Sequence, residues 1–461
     1  MNNLENRIKS YLISNSKKVK INSKDIKKGD VFFALKGSNS HGNKYIGKAL
    51  SNGAKYVVTD RKSNRSLNNN ILKVKNIFDY LQNVATKKRN HFKGVVIAIT
   101  GSIGKTSIKE FLNFFLSSEG IISASIKSYN NFLGVLISLI NMDKDSKFSI
   151  FEVGTSNFNE IKKLSSLILP HQVIISNIYP THLQNFFTTR NIAIEKSDLI
   201  NPKYNPNIQS VILPNSNEDE VYLKKIAKKY SIKSIITFGK QDKNGYSIEK
   251  IENINNFLSN ITYKTPTRKI KFKTSTSFKH QILNMLVVVI VYDYNLLNIN
   301  NFLDKTNNIP FIEGRGLFYK TNINNKEVIL IDESYNASPA SMNTCIEYFN
   351  NFEIKQDQRK IIILGEMLEL GKMSKQFHKD IVFKTIDASV DMIIFCGVVY
   401  KQILNELSFK SQRIFHTNNE VKILNFLNDN ILKNDIILVK SSNLSRVNKL
   451  VKLLLRNKKE K

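Results

Sequence analysis

The run Thr100-Gly101-Ser102-Ile103-Gly104-Lys105-Thr106 sets two glycines, a lysine and hydroxyls in an order suited to holding phosphate. Where a glycine-bearing turn opens into a helix, backbone N–H groups converge on one point and the helix N-terminus favours negative charge there. Lys105 adds a full positive charge for phosphate oxygens, and the Thr106 hydroxyl suits magnesium. The usual pattern G-x-x-x-x-G-K-[ST] would place a glycine where this chain has Ile99, so the loop is a variant with its early glycine at Gly101. The competing reading is an ordinary turn with a solvated lysine. The flanks weigh against it: Val95 to Ile99 is a continuous apolar run fit for a strand buried on both faces, and Thr106 to Ser117 reads as a helix.

In open parallel sheets ligands bind beyond the carboxyl ends of the strands, and unusual polar residues fall there. Glu152 ends the strand Phe148 to Phe151 and is a natural magnesium carboxylate. Asn177, Thr181 and His182 follow the expected strand Gln172 to Ile178, and His182 could coordinate a second cation or bond phosphate. Glu195-Lys196 alone reads as a surface pair on a helix. Asp332 to Pro339 reads as a polar loop after the strand Val328 to Ile331, ending in an N-cap Ser338 and a first-turn Pro339. Gly365 to Gly371 is a second such loop.

The elements that must position these groups divide the chain. At roughly 150 residues per domain, 461 residues leave room for about three. Asp30 to Leu35 and Lys55 to Val58 read as strands around a short helix, Tyr45 to Ser51. The polar stretch Arg61 to Asn70 and basic Lys87 to Asn90 then suggest a boundary near position 90. Apolar runs recur after it with helix-compatible stretches between, the rhythm of a mostly parallel sheet covered by helices. A further set begins near Phe311 with Val328 to Ile331, Lys360 to Leu364, Asp391 to Phe395 and Asp435 to Val439. The expected division is 1–90, 91–310 and 311–461, all α/β.

Hydrophobic residues at 41% and charged residues at 23% exclude a disordered chain. The longest apolar run, Met285 to Tyr292, is too short to span a bilayer and reads as core. Met1 to Ser10 carries charges and amides where a signal peptide needs apolar residues. Cys345 and Cys396, without metal-ligand spacing, suit two inert buried thiols in a reducing cytosol. The net charge of +31 would ordinarily suggest nucleic acid. The basic residues are spread along the chain, however, with short clusters such as Arg456 to Lys461, and the Lys- and Asn-rich composition is what an AT-rich genome imposes. An anionic substrate such as a nucleotide is equally served.

In chain order several segments resemble the Mur ligase family over nearly the whole length: the phosphate loop followed by Lys109-Glu110, Tyr129-Asn130-Asn131, and Glu152-Val153-Gly154. Asn177-Ile178 with Pro180 to Leu183, Ile192 to Lys196, His280 with Asn284, Gly314-Arg315, Asp332 to Pro339, Leu364 to Gly371 with His378, and Lys440 with Ser442 continue the match. The segments Ser334 to Pro339 and Met367 to Gly371 are similar to those of the members that add a dipeptide, and no Asn-Pro-Arg motif of the diaminopimelate-adding members is found.

The resemblance implies an N-terminal α/β domain holding a UDP end, a central P-loop-type ATPase domain and a C-terminal Rossmann-like domain. ATP and Mg2+ are the implied cofactors, and UDP-MurNAc-tripeptide and D-alanyl-D-alanine the implied substrates, joined in the cytoplasm through an acyl phosphate. Neither stable nucleic-acid binding nor membrane insertion is expected, and a monomer is. By the same resemblance Gly101, Ser102, Ile103, Gly104, Lys105, Thr106 and Ser107 cradle the nucleotide, and His280, Asn284, Arg315 and Asn336 face it. Thr106 and Glu152 hold one magnesium; His182 serves a second with Lys196, which is carbamylated in the family. Lys105, Glu152, His182 and Lys196 are thus the implied catalytic set. Ser23, Lys24, Lys36 and Gly37 would lie near UDP, while Asn130, Asn131, Tyr335, Asn336 and Ser338 would meet the substrates. Departures from the family pattern include Lys24 for Arg, His41 and Asn43 for Asp and His, Ser197-Asp198 for Gly-Glu, Glu366 for Asp and Ser441 for Gly. A Mur-type ligase using another amine, and a phosphate-loop protein that binds nucleic acid, are the competing readings.

Overall fold

Short parallel strands rich in Val, Ile and Phe form the first of three sheets: β1 Val19–Lys20, β2 Val31–Phe33, β3 Tyr56–Thr59 and β4 Ile71–Lys73, paired in that order. The computed structural model describes residues 2–37, 40–61, 69–126, 128–239, 245–310, 312–408, 411–443 and 445–455. Most of the polar stretch expected near the first boundary (62–68), Phe311 at the second, and the basic tail 456–461 lie outside the described residues.

The central sheet contains β5 Val95–Thr100, β6 Ile122–Ala124, β7 Phe148–Glu152, β8 Gln172–Ile175, β9 Ser210–Pro214, β10 Ser234–Gly239, β11 Tyr246–Asn255, β12 Leu258–Lys264 and β13 Lys269–Thr274. Their order is β13-β12-β11-β10-β9-β8-β5-β7-β6, antiparallel only where β12 and β13 join. β5 is buried from Val96 onward and lies between β7 and β8, so the chain leaves it toward both sides and opens a crevice at its carboxyl end. The third sheet holds β14 Leu317–Ile323, β15 Lys326–Glu333, β16 Lys360–Gly365, β17 Met392–Cys396, β18 Ile414–Thr417 and β19 Ile436–Lys440. Its order is β14-β15-β19-β16-β17-β18, with β14 alone antiparallel.

Beyond shifts of a residue or two at several strand ends, two differences from the sequence reading bear on the site. β8 stops at Ile175; Ser176 N–H still donates to Thr100 O at 2.9 Å, while its hydroxyl turns to Ile103 O at 2.5 Å. β15 runs on to Glu333, so Asp332 and Glu333 belong to the sheet, opposite Val439 and Lys440, rather than to a loop. Met285 to Tyr292 is core as expected, wholly buried inside the helix Lys279–Tyr294. Among the described residues no helix is long and apolar enough to cross a membrane. Cys345 and Cys396 are free and buried, and burial pushes the Cys345 thiol far up.

The N-terminal and central sheets are not separated by solvent. One apolar cluster runs from Ile8, Val31 and Val84 through Val96, Leu136 and Ile161 to Leu213. The helix Ile77–His91 seams it with buried cations: Lys88 Nζ donates to Leu12, Ile13 and Asn15 carbonyls at 3.1, 2.8 and 3.0 Å, closing the helix Asn2–Ser14. Arg89 donates from Nε to Ile168 O and from a terminal nitrogen to Leu169 O, both at 2.6 Å, at the end of the helix Glu160–Ile168. Arg89→Met orphans both carbonyls and is expected to lower unfolding free energy by about 2–3 kcal/mol in urea titrations. Arg89→Lys is expected to recover only part of this, because one ammonium cannot reproduce the planar fork.

Candidate active site

The loop Gly101 to Thr106 is held in shape by contacts within the protein. Gly101 has φ +143°, and a Cβ there would sit 1.9 Å from Ser176 Oγ, so no larger residue fits. Gly104, at φ +88°, caps the helix Lys105–Leu116, whose first turn buries Thr106 and Ser107. Asn177 brackets Ile103, accepting its N–H at 2.9 Å and donating to its carbonyl at 3.0 Å. Ser102 donates its N–H to Asn177 O (3.1 Å) and its hydroxyl to Tyr179 O (2.8 Å). Lys105 Nζ is folded back on Gly101 O and Ser102 O at 2.8 and 3.2 Å; burial pushes its pKa down, against the pull of Glu152.

Glu152 is the hub beside the loop. It accepts from Thr106 Oγ1 and from Asn130 Nδ2, each at 2.8 Å, and its own N–H donates to Ser125 Oγ. Arg315 donates to Thr106 Oγ1 at 3.1 Å and lies 4.5 Å over the Tyr335 ring, whose hydroxyl donates to Ser128 Oγ at 2.6 Å. Two groups near the third sheet thereby reach the central one. Asn131 is committed elsewhere, its Oδ1 capping the helix Phe132–Asn141 through Gly134 N–H.

Lys196, in the helix Thr189–Ser197, is 3% exposed, and burial, reinforced by the Lys105 charge, holds its pKa well below the ordinary lysine value. Its neighbour Glu195 faces away and accepts Asn159 and Ile161 N–H, both at 2.8 Å. Lys196 is left without an ion pair among the described residues. His182 has φ +52°, and its Nδ1 lies 2.5 Å from Glu369 Oε2, in contact but not aligned as a hydrogen bond. Burial lowers the His182 pKa, partly offset by Glu369. Among the described residues no three His, Cys, Asp or Glu side chains converge on one point.

Nearer the third sheet, His280 Nε2 lies 4.0 Å from Glu333 Oε1, and burial lowers its pKa. Lys440 Nζ joins Glu333 Oε2 (3.1 Å) to Asn336 O (2.7 Å). Asn284 reaches Gly104, where a Cβ would stand 3.1 Å from its Oδ1. A cavity of about 260 Å³ opens beside Arg315, walled by Phe257, Phe278, Phe318 and Gln281. Ser338 forms the expected N-cap, in a capping box with Ser341, and Pro339 is the first helical residue. Ser23, Lys24, Lys36 and Gly37 lie apart in the N-terminal sheet's loops; among the described residues no hydrogen bond or ion pair joins them to the phosphate loop.

The loop Gly365 to Gly371 is set by His378. The buried ring donates from Nδ1 to Ser374 O (2.7 Å) and accepts Met367 N–H at Nε2 (3.0 Å), a neutral tautomer. Burial holds its pKa below the ordinary 6.5, opposed by Ser374 O and the Glu366 charge. The unfolded chain therefore takes up this proton first, so stability is complete above about pH 6.5 and is lost as pH falls toward the folded pKa. Urea midpoints are expected to drop between pH 7 and 5 more in the wild type than in His378→Asn.

Sequence reasoning missed Ser176 and Ser128, and it named Glu333, Lys440 and Glu369 only as members of motif segments, without the Glu333–Lys440 and Glu369–His182 pairings. Ser176 was detectable as a small residue at a strand end; the others meet their partners only through tertiary packing.

Residues 16–134 match the description "Mur ligase family, catalytic domain", 99–292 "Mur ligase middle domain" and 317–443 "Mur ligase, glutamate ligase domain". The chain belongs to the Mur ligase family. It is 32% identical, over 95% of both chains, to UDP-N-acetylmuramoyl-tripeptide--D-alanyl-D-alanine ligase of Rickettsia prowazekii. It is 25% identical to the Bacillus subtilis enzyme of that name, over 95% of this chain and 93% of the other. Its fold matches MurF of Thermotoga maritima in complex with ADP, with TM-score 0.78, 24% identity and coverage of 97% and 98%.

Proposed function

We propose that this protein is the ATP-dependent ligase joining D-alanyl-D-alanine to UDP-N-acetylmuramoyl-tripeptide in peptidoglycan precursor synthesis. The observation that carries the reading is the junction of a built phosphate loop with Glu152, Arg315 and Tyr335 between two sheets, in a chain 32% identical to a ligase of that name. The terminal carboxylate of the tripeptide attacks the γ-phosphorus of ATP, the bond to ADP breaks, and an acyl phosphate forms. The dipeptide amine then attacks the acyl carbon, loses a proton, and phosphate leaves. Positioning and charge neutralisation supply most of the rate.

The 1–90 portion would hold the UDP end through Ser23, Lys24, Lys36 and Gly37, 91–310 the ATP, and 311–461 the dipeptide, near Tyr335, Asn336 and Ser338. Lys105 would leave its loop carbonyls for the β/γ-phosphates, and the aromatic cavity beside Arg315 suits a flat base. The donor set fits magnesium: a Thr106 hydroxyl on a carboxylate, the His182 imidazole with its second ring nitrogen not facing Glu369, and a buried unpaired lysine. When bound, Mg2+ would neutralise phosphate charge, held by Thr106, Glu152, His182 and a carbamylated Lys196. The setting proposed is the cytoplasm, and the working form a monomer.

Phosphate release with ATP, Mg2+ and UDP-MurNAc-tripeptide, with and without D-alanyl-D-alanine, tests this. Release that depends on the dipeptide, with the matching product mass, supports it. Release only with a different amine moves the protein to a sibling activity.

A further inference from the structure

We propose that Glu369 is a positioning residue for this reaction: from the third sheet it orients His182 of the central one, and so couples cation binding to docking of the C-terminal part on the phosphate loop. The inference rests on the function proposed above and deepens it.

Backbone contacts bring the two side chains together. Gln184 N–H donates to Glu369 O at 3.2 Å, and Gly371 approaches so closely that a Cβ there would stand 3.1 Å from Gln184 Cα. His182 and Glu369 are both non-glycine residues in the left-handed region, at φ +52° and +64°. Such residues keep that conformation only where the surroundings hold them. His182 is held by Asn185 and Phe186 N–H, which donate to its carbonyl at 2.9 and 3.0 Å.

The pair is half exposed, 31% for His182 and 53% for Glu369, so it adds little to stability. Its effect is orientation. With the carboxylate against Nδ1, the other ring nitrogen is the one left to a cation or phosphate oxygen; the contact restrains the ring, and a small turn that aligns Nδ1–H on the carboxylate would fix both tautomer and ring plane. His182 follows β8 and Glu369 follows β16, so this orientation exists only while the two sheets are docked. Linkage makes the effect reciprocal: a cation bound at His182 favours docking.

The test is Mn2+ titrated into the full chain with a non-hydrolysable ATP analogue, free Mn2+ being read by electron paramagnetic resonance, with solution scattering in parallel. Glu369→Ala is expected to weaken one Mn2+ site about 10-fold and to abolish Mn2+-dependent compaction, while the thermal midpoint stays in place. Glu369→Gln, which still accepts from Nδ1–H, should fall between. The double variant with His182→Ala should bind no more weakly than His182→Ala alone. Wild-type Mn2+ affinity in Glu369→Ala, or a loss that adds to that of His182→Ala, would overturn the proposal. A wild-type protein that fails to bind Mn2+ with the analogue would instead overturn the underlying function.

Discussion

Replacing Lys196 by methionine is expected to lower turnover about 10³-fold, equivalent to ~4 kcal/mol of barrier, without weakening the fold. Burial and the Lys105 charge favour the neutral amine, and the adjacent Glu195 carboxylate is committed to the helix Glu160–Ile168. A neutral amine can add CO2 and lose a proton, converting a would-be cation into an anionic oxygen donor. Methionine keeps the volume and removes that possibility. In CO2-depleted buffer the wild type should lose activity and regain it with bicarbonate, whereas Lys196→Met should ignore both. A carbamate signal from 13C-bicarbonate should be present only in the wild type. Turnover within a few-fold of wild type would remove Lys196 from the site.

Lys105→Met should cost about as much, roughly 10³-fold in kcat/KM, for a different reason. The ammonium now rests on two loop carbonyls, in a place where burial disfavours its charge. On the function proposed, an arriving polyphosphate would offer it full compensation, and its charge would act on the substrate rather than on the fold. The depressed folded pKa means that charged Lys105 strains the native state at neutral pH, a strain relieved as pH rises toward 10.5. The variant should therefore match or exceed the wild type in thermal midpoint at pH 7 while losing nucleotide affinity by calorimetry. A parallel loss of midpoint and activity would point to a structural lysine instead.

How much of this was legible depended on how local the cause was. β5 with its loop, and the Ser338–Pro339 helix start, are set by neighbours in sequence, and both stand where the residues place them. β11 to β13 were not legible: β12 alternates buried and exposed positions, and its outward Asn and Lys residues hide an apolar face only Ile261 and Tyr263 deep. At the site, spacing identified Glu152 and His182 as strand-end groups. It did not indicate that Glu152 binds Asn130, that His182 meets Glu369, or that Glu333 is the last residue of a strand. Those pairings come from which strands become neighbours, and hydrophobic periodicity does not encode strand order.

The apolar cluster that runs unbroken beneath the first two sheets has a mechanical consequence. Two bodies that share a core cannot tilt against each other without opening it, so the freedom left to the molecule lies between that joint block and the third sheet, whose two clusters meet the central portion mainly through Phe278 and Phe377. With the UDP end anchored on the first sheet, as proposed, its separation from the phosphate loop is a fixed length. On that reading the block would work as a gauge: a peptide stem one residue too short would leave its carboxylate out of reach of the γ-phosphate, and one too long would have to buckle, before the dipeptide is presented.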